Sequence, residues 1–255
     1  SKRVKMSKTS SIHRTLQIIK ELQDGKTLTL NKGSGIKSVS GALKVTSAMK
    51  LVSTVKLQAN KNKMLSYRTY FNALNETVNE IYKYVGSVNS PLVNINEKAK
   101  KDLYVIVSSS LGLCGAYNTN IFKAAEANIK PEDDAIILGN KGITHFANNK
   151  FSKLDNFSSY TSIKDEKIVK EITSFLINKY VSEEYKNIFI IYTEYKNPLV
   201  FVPRCFKLLP LSVPSDEETV GYGPLLEPTP KKLFDAVTPL YISTCVYSRL
   251  LKRSV

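Results

Sequence analysis

Residues 42–85 contain neither glycine nor proline, and this uninterrupted stretch of 44 residues is the feature that most constrains the fold. Proline and glycine are the residues least favourable inside a helix. At about 1.5 Å per residue, a helix of this length would extend roughly 65 Å, whereas the average globular helix has only about 11 to 12 residues. The sequence therefore predicts a long helical rod, closed by Gly86 and Pro91.

The second half of the rod carries an apolar seam with the spacing of a coiled coil. Its apolar residues are separated alternately by three and four positions, as in a heptad repeat. The seam consists of Met64, Tyr67, Phe71, Leu74, Val78, Ile81 and Val85. A related stripe in the first half contains Val45, Ala48, Val52 and Val55, and lysines lie on the opposite face. Because an apolar seam is normally covered, the pattern predicts a partner helix along the rod.

The net charge of +15 is concentrated at one end of the chain, since residues 1–70 hold 15 Lys or Arg residues and only Glu21 and Asp24 as acids. The remaining residues are close to neutral. This concentration indicates an acidic partner such as nucleic acid, anionic lipid or an acidic protein surface. No apolar run approaches the ~20 residues of a membrane span, so we expect contact with a membrane only through other proteins.

Apolar runs alternate with helical patterns after a polar linker at residues 89–101. The predicted strands are Leu103–Val107, Ala135–Leu138 and Ile188–Thr193, and the predicted helices are Asn120–Ala127, Lys141–Ala147 and Ile168–Tyr180. An extended segment punctuated by prolines follows at residues 199–211, and a last helix begins near Lys231. This order predicts a Rossmann-like α/β domain of about 120 residues with a mainly parallel sheet covered by helices.

The turn after the first predicted strand, residues 108–120 (SSSLGLCGAYNTN), combines serines, glycines and a cysteine. It contains neither GxGxxG nor GxxxxGK[ST], and its serines are not in a GxSxG elbow. His13 and His145 lie in distant segments, and the three widely spaced cysteines match neither a disulfide framework nor a zinc site. We expect no catalytic residue, no metal and no cofactor. The acidic trios at 132–134 and 216–218 are expected to be solvated turns.

Five motifs, in order along the chain, resemble those of the gamma subunit of F-type rotary ATP synthases. They are IKSV and KVTSAMKLV within residues 36–52, similar to IxSV and KITKAMKMV; residues 108–120, similar to SSDRGLCGGYNSN; ILGNKG at 137–142, similar to IG-x-KG; KLLPL at 207–211, similar to QLLPL; and LEPTP at 226–230 with the helix after it, similar to YEPSP. The last motif is closer to bacterial and plastid members than to mitochondrial ones.

The resemblance implies a central rotor with two long helices wound as an antiparallel coiled coil inside a ring of alternating alpha and beta subunits. The α/β domain would lie below the ring, in contact with the epsilon subunit and the membrane c-ring in a synthase. The chain would transmit torque between the proton-driven c-ring and the ring that makes ATP, and would carry no catalytic residue. The implied location is peripheral, on the cytoplasmic face of a bacterial plasma membrane.

The resemblance also implies contacts with an acidic loop of the beta subunits, here called the beta lever. The implied contact residues are Lys44, Ala48, Met49, Lys50, Leu51 and Val52 on the shaft, and Gly112, Leu113, Cys114 and Gly115 in the turn. Ser110 and Leu111 stand where the family usually has Asp-Arg, so a charged pair is missing from this turn.

The domain organisation implied by the resemblance has four parts. They are an N-terminal extension at 1–33, the first shaft helix at 34–88, the α/β domain at 89–227, and the beginning of a second shaft helix at 228–255, which is incomplete within these residues. Two alternatives stay open: the rotor of a specialised F-type-like ATPase not coupled to proton flow, and, from another class, a basic coiled-coil protein that binds nucleic acid.

Overall fold

A computed structural model describes most of the chain from residue 34 onward. The described residues are 34–85, 90–110, 112, 114–154, 157, 166–197, 200–212 and 230–251. The predicted N-terminal extension at 1–33 and the acidic trio at 216–218 lie outside them. The described chain divides into two units, and the division falls between Ala59 and Asn60.

The long helix α1 extends from Ser34 to Val85, a length of 52 residues. After Gly41 its sequence has no helix breaker, and no acidic residue occurs before Glu76. Threonines along its exposed surface direct their hydroxyls back to the helix backbone, as Thr46 does to the carbonyl oxygen of Ala42 at 2.7 Å. These bonds satisfy hydroxyl groups locally without ending the helix.

A five-stranded sheet follows α1 and forms the centre of the second unit. Its strands are β1 (Leu103–Val107), β2 (Asp134–Leu138), β3 (Ser152–Lys153), β4 (Ile188–Asn197) and β5 (Val200–Leu209), in the order β3-β2-β1-β4-β5. All neighbouring pairs are parallel except β4 and β5, which are antiparallel. The predicted α/β class with a mainly parallel sheet is therefore confirmed.

Helices cover both faces of this sheet. They are α2 (Tyr117–Asn128), α3 (Asn140–His145), α4 (Glu166–Val181) and α5 (Pro230–Leu251). Side chains alternate between the two faces of a strand. Leu103 and Val105 of β1 accordingly share a core with α4 and α5, whereas Tyr104 and Ile106 pack with α2 and Phe146.

Two carboxylates at the beginning of β2 are buried, so the expectation of a solvated turn at 132–134 is wrong for Asp133 and Asp134. One Oδ atom of Asp133 accepts a hydrogen bond from the backbone N–H of Asp102 at 2.9 Å. Oδ2 of Asp134 accepts from Lys101 Nζ at 2.7 Å and from the Tyr185 hydroxyl at 2.6 Å. Charged and backbone donors at this end of the sheet therefore compensate the burial of both groups.

The tyrosines of the sheet domain make the stability of the fold sensitive to alkali. Burial raises the pKa of Tyr180 to about 12 and also raises the pKa of Tyr104, Tyr185 and Tyr192. Tyrosine in an unfolded chain ionises near pH 10. Above that pH the folded protein binds more protons than the unfolded chain. The free energy of unfolding therefore keeps its full value below pH 10 and decreases as the pH rises above it.

We expect the melting temperature, followed by circular dichroism, to fall between pH 9.5 and pH 11.5. Tyr180→Phe removes one of the titrating groups, so its melting temperature should fall less steeply over the same interval. Parallel slopes for the two proteins would show that Tyr180 does not contribute to the alkaline loss of stability.

Candidate functional site

The C-terminal part of α1, residues 60–85, runs antiparallel to α5. The rings of Tyr67 and Tyr247 lie 4.3 Å apart between centroids, and those of Phe71 and Tyr241 stack at 6.0 Å. The Tyr241 hydroxyl donates a hydrogen bond to Oδ1 of Asn75 at 3.1 Å. Because later residues of α1 meet earlier residues of α5, the two helices point in opposite directions.

The last turns of α1 bury their apolar residues against the beginning of α5. Val78 and Ile81 are each 4% exposed and form a cluster with the buried ring of Phe234. Three other predicted seam residues are partly buried: Tyr67, Phe71 and Leu74. The side chains of the remaining two, Met64 and Val85, lie outside the described part of the structure. In this region α5 is thus the helix that covers the seam.

The N-terminal part of α1, residues 34–59, presents a mixed surface, here called the basic helix surface. Lys44, Ala48 and Lys50 are exposed, and Leu51 is 68% exposed. Further exposed apolar residues of this surface are Leu43, Val45 and Val55. The side chains of Met49 and Val52 lie outside the described part. Exposed apolar groups beside lysines are typical of a surface that another protein contacts.

α5 is attached to the sheet by a buried arginine in its last described turn. The guanidinium carbon of Arg249 lies 3.4 Å from the centroid of the Phe206 ring on β5, and Nη1 donates to the Cys245 carbonyl oxygen at 2.9 Å. A cation over an aromatic face is stabilising, and the effect increases when both are desolvated. Since Arg249 is only 8% exposed, this contact ties α5 to the antiparallel edge of the sheet.

A buried serine closes the turn between β1 and α2, here called the β1–α2 turn. Oγ of Ser108 donates to the Leu138 carbonyl oxygen at 2.8 Å and accepts from the backbone N–H of Gly142 at 2.9 Å. Ser108 therefore joins the end of β1 to the end of β2 and to α3. Gly139 adopts a φ of 103°, which favours glycine, and this lets the chain enter α3 beside Ser108.

Asn118 holds the next part of the β1–α2 turn. Its Oδ1 accepts from the backbone N–H of Ser109 at 3.0 Å, and its Nδ2 donates to Ser109 Oγ at 2.8 Å and to Cys114 Sγ at 3.1 Å. Cys114 is half-buried, while Gly112 and Gly115 are exposed. The turn is thus held at its base and exposed at its glycines. The predicted contact residue Leu113, like Leu111, lies outside the described residues.

Sequence reasoning did not single out Ser108 or Asn118, although both lie in the quoted turn motif. The sequence signal that could have found Ser108 is the pair of glycines Gly139 and Gly142, because two glycines in one turn indicate that another chain segment approaches closely. That approach is made by Ser108: a Cβ on Gly142 would lie 2.5 Å from its Oγ atom.

The titratable groups of the described residues do not form a metal site, since no three His, Cys, Asp or Glu side chains among them are grouped to hold an ion. Burial raises the pKa of the thiol of Cys245, which disfavours the reactive thiolate. None of the helices in the described ranges is long and apolar enough to cross a membrane. What the geometry provides is a helix pair, a basic helix surface and a pinned turn, features of an interaction protein.

Comparison with known proteins identifies the family. The family model described as ATP synthase matches residues 34–255. The ATP synthase gamma chain of Mesoplasma florum is 31% identical over 194 residues, 76% of this chain and 68% of that protein. The gamma chain of Mycoplasmopsis pulmonis is 27% identical over 201 residues, covering 76% of this chain and 72% of that one.

A solved structure shares the fold. It is the central stalk and c-ring of the Tetrahymena thermophila mitochondrial ATP synthase, with a TM-score of 0.57 and 19% identity over 82% of this chain and 92% of that chain. The chain belongs to the ATP synthase gamma-chain family, as the sequence motifs predicted. The gamma chain is a non-catalytic subunit of the synthase.

The close approach of Gly142 to Ser108 yields a stability prediction. In Gly142→Ala the new methyl group would lie within 2.8 Å of Ile137 Cγ2 as well as 2.5 Å from Ser108 Oγ, so we expect a loss of about 1 to 3 kcal/mol in the free energy of unfolding. Urea titration measures it. Gly41→Ala is the matched control, because nothing lies within 4 Å of that position; it should be neutral or slightly stabilising. Equal effects of the two substitutions would contradict the close packing of Gly142 against Ser108.

Proposed function

We propose that the chain is the central rotor subunit of an F-type ATP synthase and transmits torque between the alpha and beta subunits of the catalytic ring and the c-ring. The observation that carries the proposal is the antiparallel pairing of α1 and α5 on an α/β domain, in a member of the gamma-chain family. A rotor needs a stiff shaft and a domain that cannot turn independently of it.

The contacts within residues 60–251 are suited to carry torque. α5 is covered on one side by α1, through the ring pairs at Tyr67 and Phe71, and packs on the other side against α4 and β4. Arg249 adds a contact with β5. Protein interiors are close-packed and yield little to applied force. A twist applied to the sheet domain would therefore be passed to the helix pair.

We propose further that α1 and α5 belong to a long antiparallel coiled coil and that the basic helix surface turns inside the ring. Its lysines would complement acidic beta levers, as the sequence resemblance implies. Attraction between exposed charges is weak in any single pair and is screened by salt. A surface of this kind can attract successive levers without holding any one of them.

The same proposal assigns the remaining partners and the location. The epsilon subunit and the c-ring would contact the α/β domain, and the chain would lie on the cytoplasmic face of a bacterial plasma membrane, held there by the other subunits. The relatives that it resembles include bacterial gamma chains, among them those of Mesoplasma and Mycoplasmopsis, and this supports the bacterial location.

Co-assembly tests the central claim. The full chain carrying an affinity tag should purify from native membranes together with alpha and beta subunits, and with the epsilon subunit and the c-ring if the complex is a synthase. Mass spectrometry identifies the subunits. Recovery of the chain without alpha and beta would refute the rotor function, and recovery of the catalytic ring without the c-ring would favour an ATPase uncoupled from protons.

Charge reversal tests the basic helix surface. We expect Lys44→Glu combined with Lys50→Glu to slow ATP hydrolysis by the assembled complex about two- to tenfold at low salt, since each exposed pair is worth about 0.2 to 1 kcal/mol. The difference from wild type should shrink as salt screens both proteins. Lys98→Glu, an exposed lysine outside α1, is the control. A salt-independent effect would point to altered packing instead of lost attraction.

A further inference from the structure

We propose that a cavity between α1, α4 and α5 is a binding site for an amphipathic organic anion, a molecule with a flat apolar body and one acid group. The cavity has a volume of about 410 Å³, and small-molecule sites in proteins occupy about 300 to 1,000 Å³. All of its lining residues belong to the second unit of the chain. The inference goes beyond the rotor function and does not depend on it.

Three tyrosine rings in contact form one wall of the cavity. The rings of Tyr67 and Tyr70 meet edge to face, with centroids 6.4 Å apart and an interplanar angle of 79°. The ring of Tyr67 also lies 4.3 Å from that of Tyr247 on α5. Aromatic side chains offer a large contact area and lose little conformational freedom on binding. Such a wall favours a ligand with a flat apolar body.

Two large apolar side chains of the lining are exposed to water. Tyr70 of α1 is 46% exposed and Leu240 of α5 is 48% exposed, whereas Val169 and Tyr247 beside them are buried. A bound apolar group would cover both exposed side chains and remove their apolar area from water, which is favourable. Exposed apolar residues that border one concave surface are typical of a binding site.

One cation lines the cavity, and it determines the charge of the ligand. Among the described lining residues only Lys170 of α4 is charged, and its side chain is exposed. The ion pairs in the described ranges join other groups, so no carboxylate there lies within 4.0 Å of the Lys170 ammonium. This charge attracts an acid group over about 8 Å at physiological salt.

A hydroxyl group of α5 adds a second polar contact. Ser243 lines the cavity and is partly exposed, and its hydroxyl can donate one hydrogen bond and accept others. The neighbouring Thr244 hydroxyl donates to the Leu240 carbonyl oxygen at 2.8 Å, so its proton is used within the helix. Lys170 and Ser243 are therefore the donors that this lining offers to an acid group.

The volume of the cavity favours a small molecule over a partner helix. One turn of an α-helix with its side chains is about 10 Å wide and 5.4 Å long, which corresponds to roughly 400 Å³. The cavity would thus hold about a single turn. A helix that binds in a groove uses anchors at positions i, i+3, i+4 and i+7, which span two turns.

Titration of the full chain with anilinonaphthalene sulfonate tests the site. This dye has an aromatic body and one sulfonate group, and its binding to apolar surface is followed by fluorescence. Phenylnaphthylamine, which has the same rings and no charge, is the matched neutral probe. We expect both probes to bind, and the anionic probe to bind more tightly.

Substitution of Lys170 tests the charge. Lys170→Gln should weaken binding of the anionic probe about two- to fivefold and leave the neutral probe unaffected. Lys170→Arg, which keeps the charge, should bind the anionic probe as wild type does. The control is Lys123→Gln, at an exposed lysine of α2 on the opposite face of the sheet; it should change the affinity for neither probe.

Substitution of Ser243 tests the position of the site. Ser243→Leu places a larger apolar side chain in the cavity and should weaken binding of both probes. Ser174→Leu, at an exposed position of α4 outside the lining, is the control and should weaken neither. Circular dichroism shows whether each variant is folded, and if Ser243→Leu is not, the Lys170 variants decide.

Each outcome supports or overturns the inference. Equal affinity of Lys170→Gln and wild type for the anionic probe overturns it, and so does unchanged binding by folded Ser243→Leu, because the dye then binds elsewhere. Loss of dye binding when the chain assembles with alpha and beta subunits shows that a subunit covers the cavity, and this also overturns it. None of these results bears on the rotor function, which co-assembly tests separately.

Discussion

The packing of α5 over the apolar seam of α1 is the interaction on which the sheet domain and its helix pair depend. Val78 and Ile81 would expose a hydrophobic stripe to water if the ring of Phe234 did not cover them. A buried aliphatic side chain is worth about 1.5 to 3 kcal/mol, so this contact alone is large against the marginal stability of a domain. Through α5, the same contact brings α1 into the packing around the sheet, where Ile242, Val246 and Leu250 join the main core.

The second organising contact is the pair of hydrogen bonds that Ser108 makes with Leu138 and Gly142. They lie at the opposite end of β1 from the buried carboxylates of β2. They satisfy a buried hydroxyl with one donor and one acceptor, and in doing so fix where the β1–α2 turn leaves the sheet. The turn has little regular secondary structure and still holds a defined position, because the Asn118 side chain donates hydrogen bonds to Ser109 and Cys114 on its other side. A turn of uncharged residues placed in this way exposes its backbone at Gly112 and Gly115.

The elements that could be predicted from the sequence are those with a strong local pattern. The long α1, the buried strands β1 and β2, and the helices that alternate with them follow from the absence of helix breakers and from short apolar runs. The extended segment at 199–211 was predicted without a partner strand. It pairs antiparallel with β4 because only two residues separate the two strands, too few for a crossover to a parallel position. Asp133 and Asp134 were placed in solvent because acidity is a property of the residue, whereas burial depends on donors that come from other segments.

The sequence by itself determined the family, the class of the fold and the absence of acidic residues along most of α1, because motifs, periodicity and charge are written in consecutive residues. Only the tertiary structure decided which groups meet across the chain: Phe234 with Val78, Ser108 with Gly142, and Arg249 with Phe206. Each of these pairs is separated by tens of residues or more. No local pattern encodes such a meeting, since it results from how the sheet and helices pack.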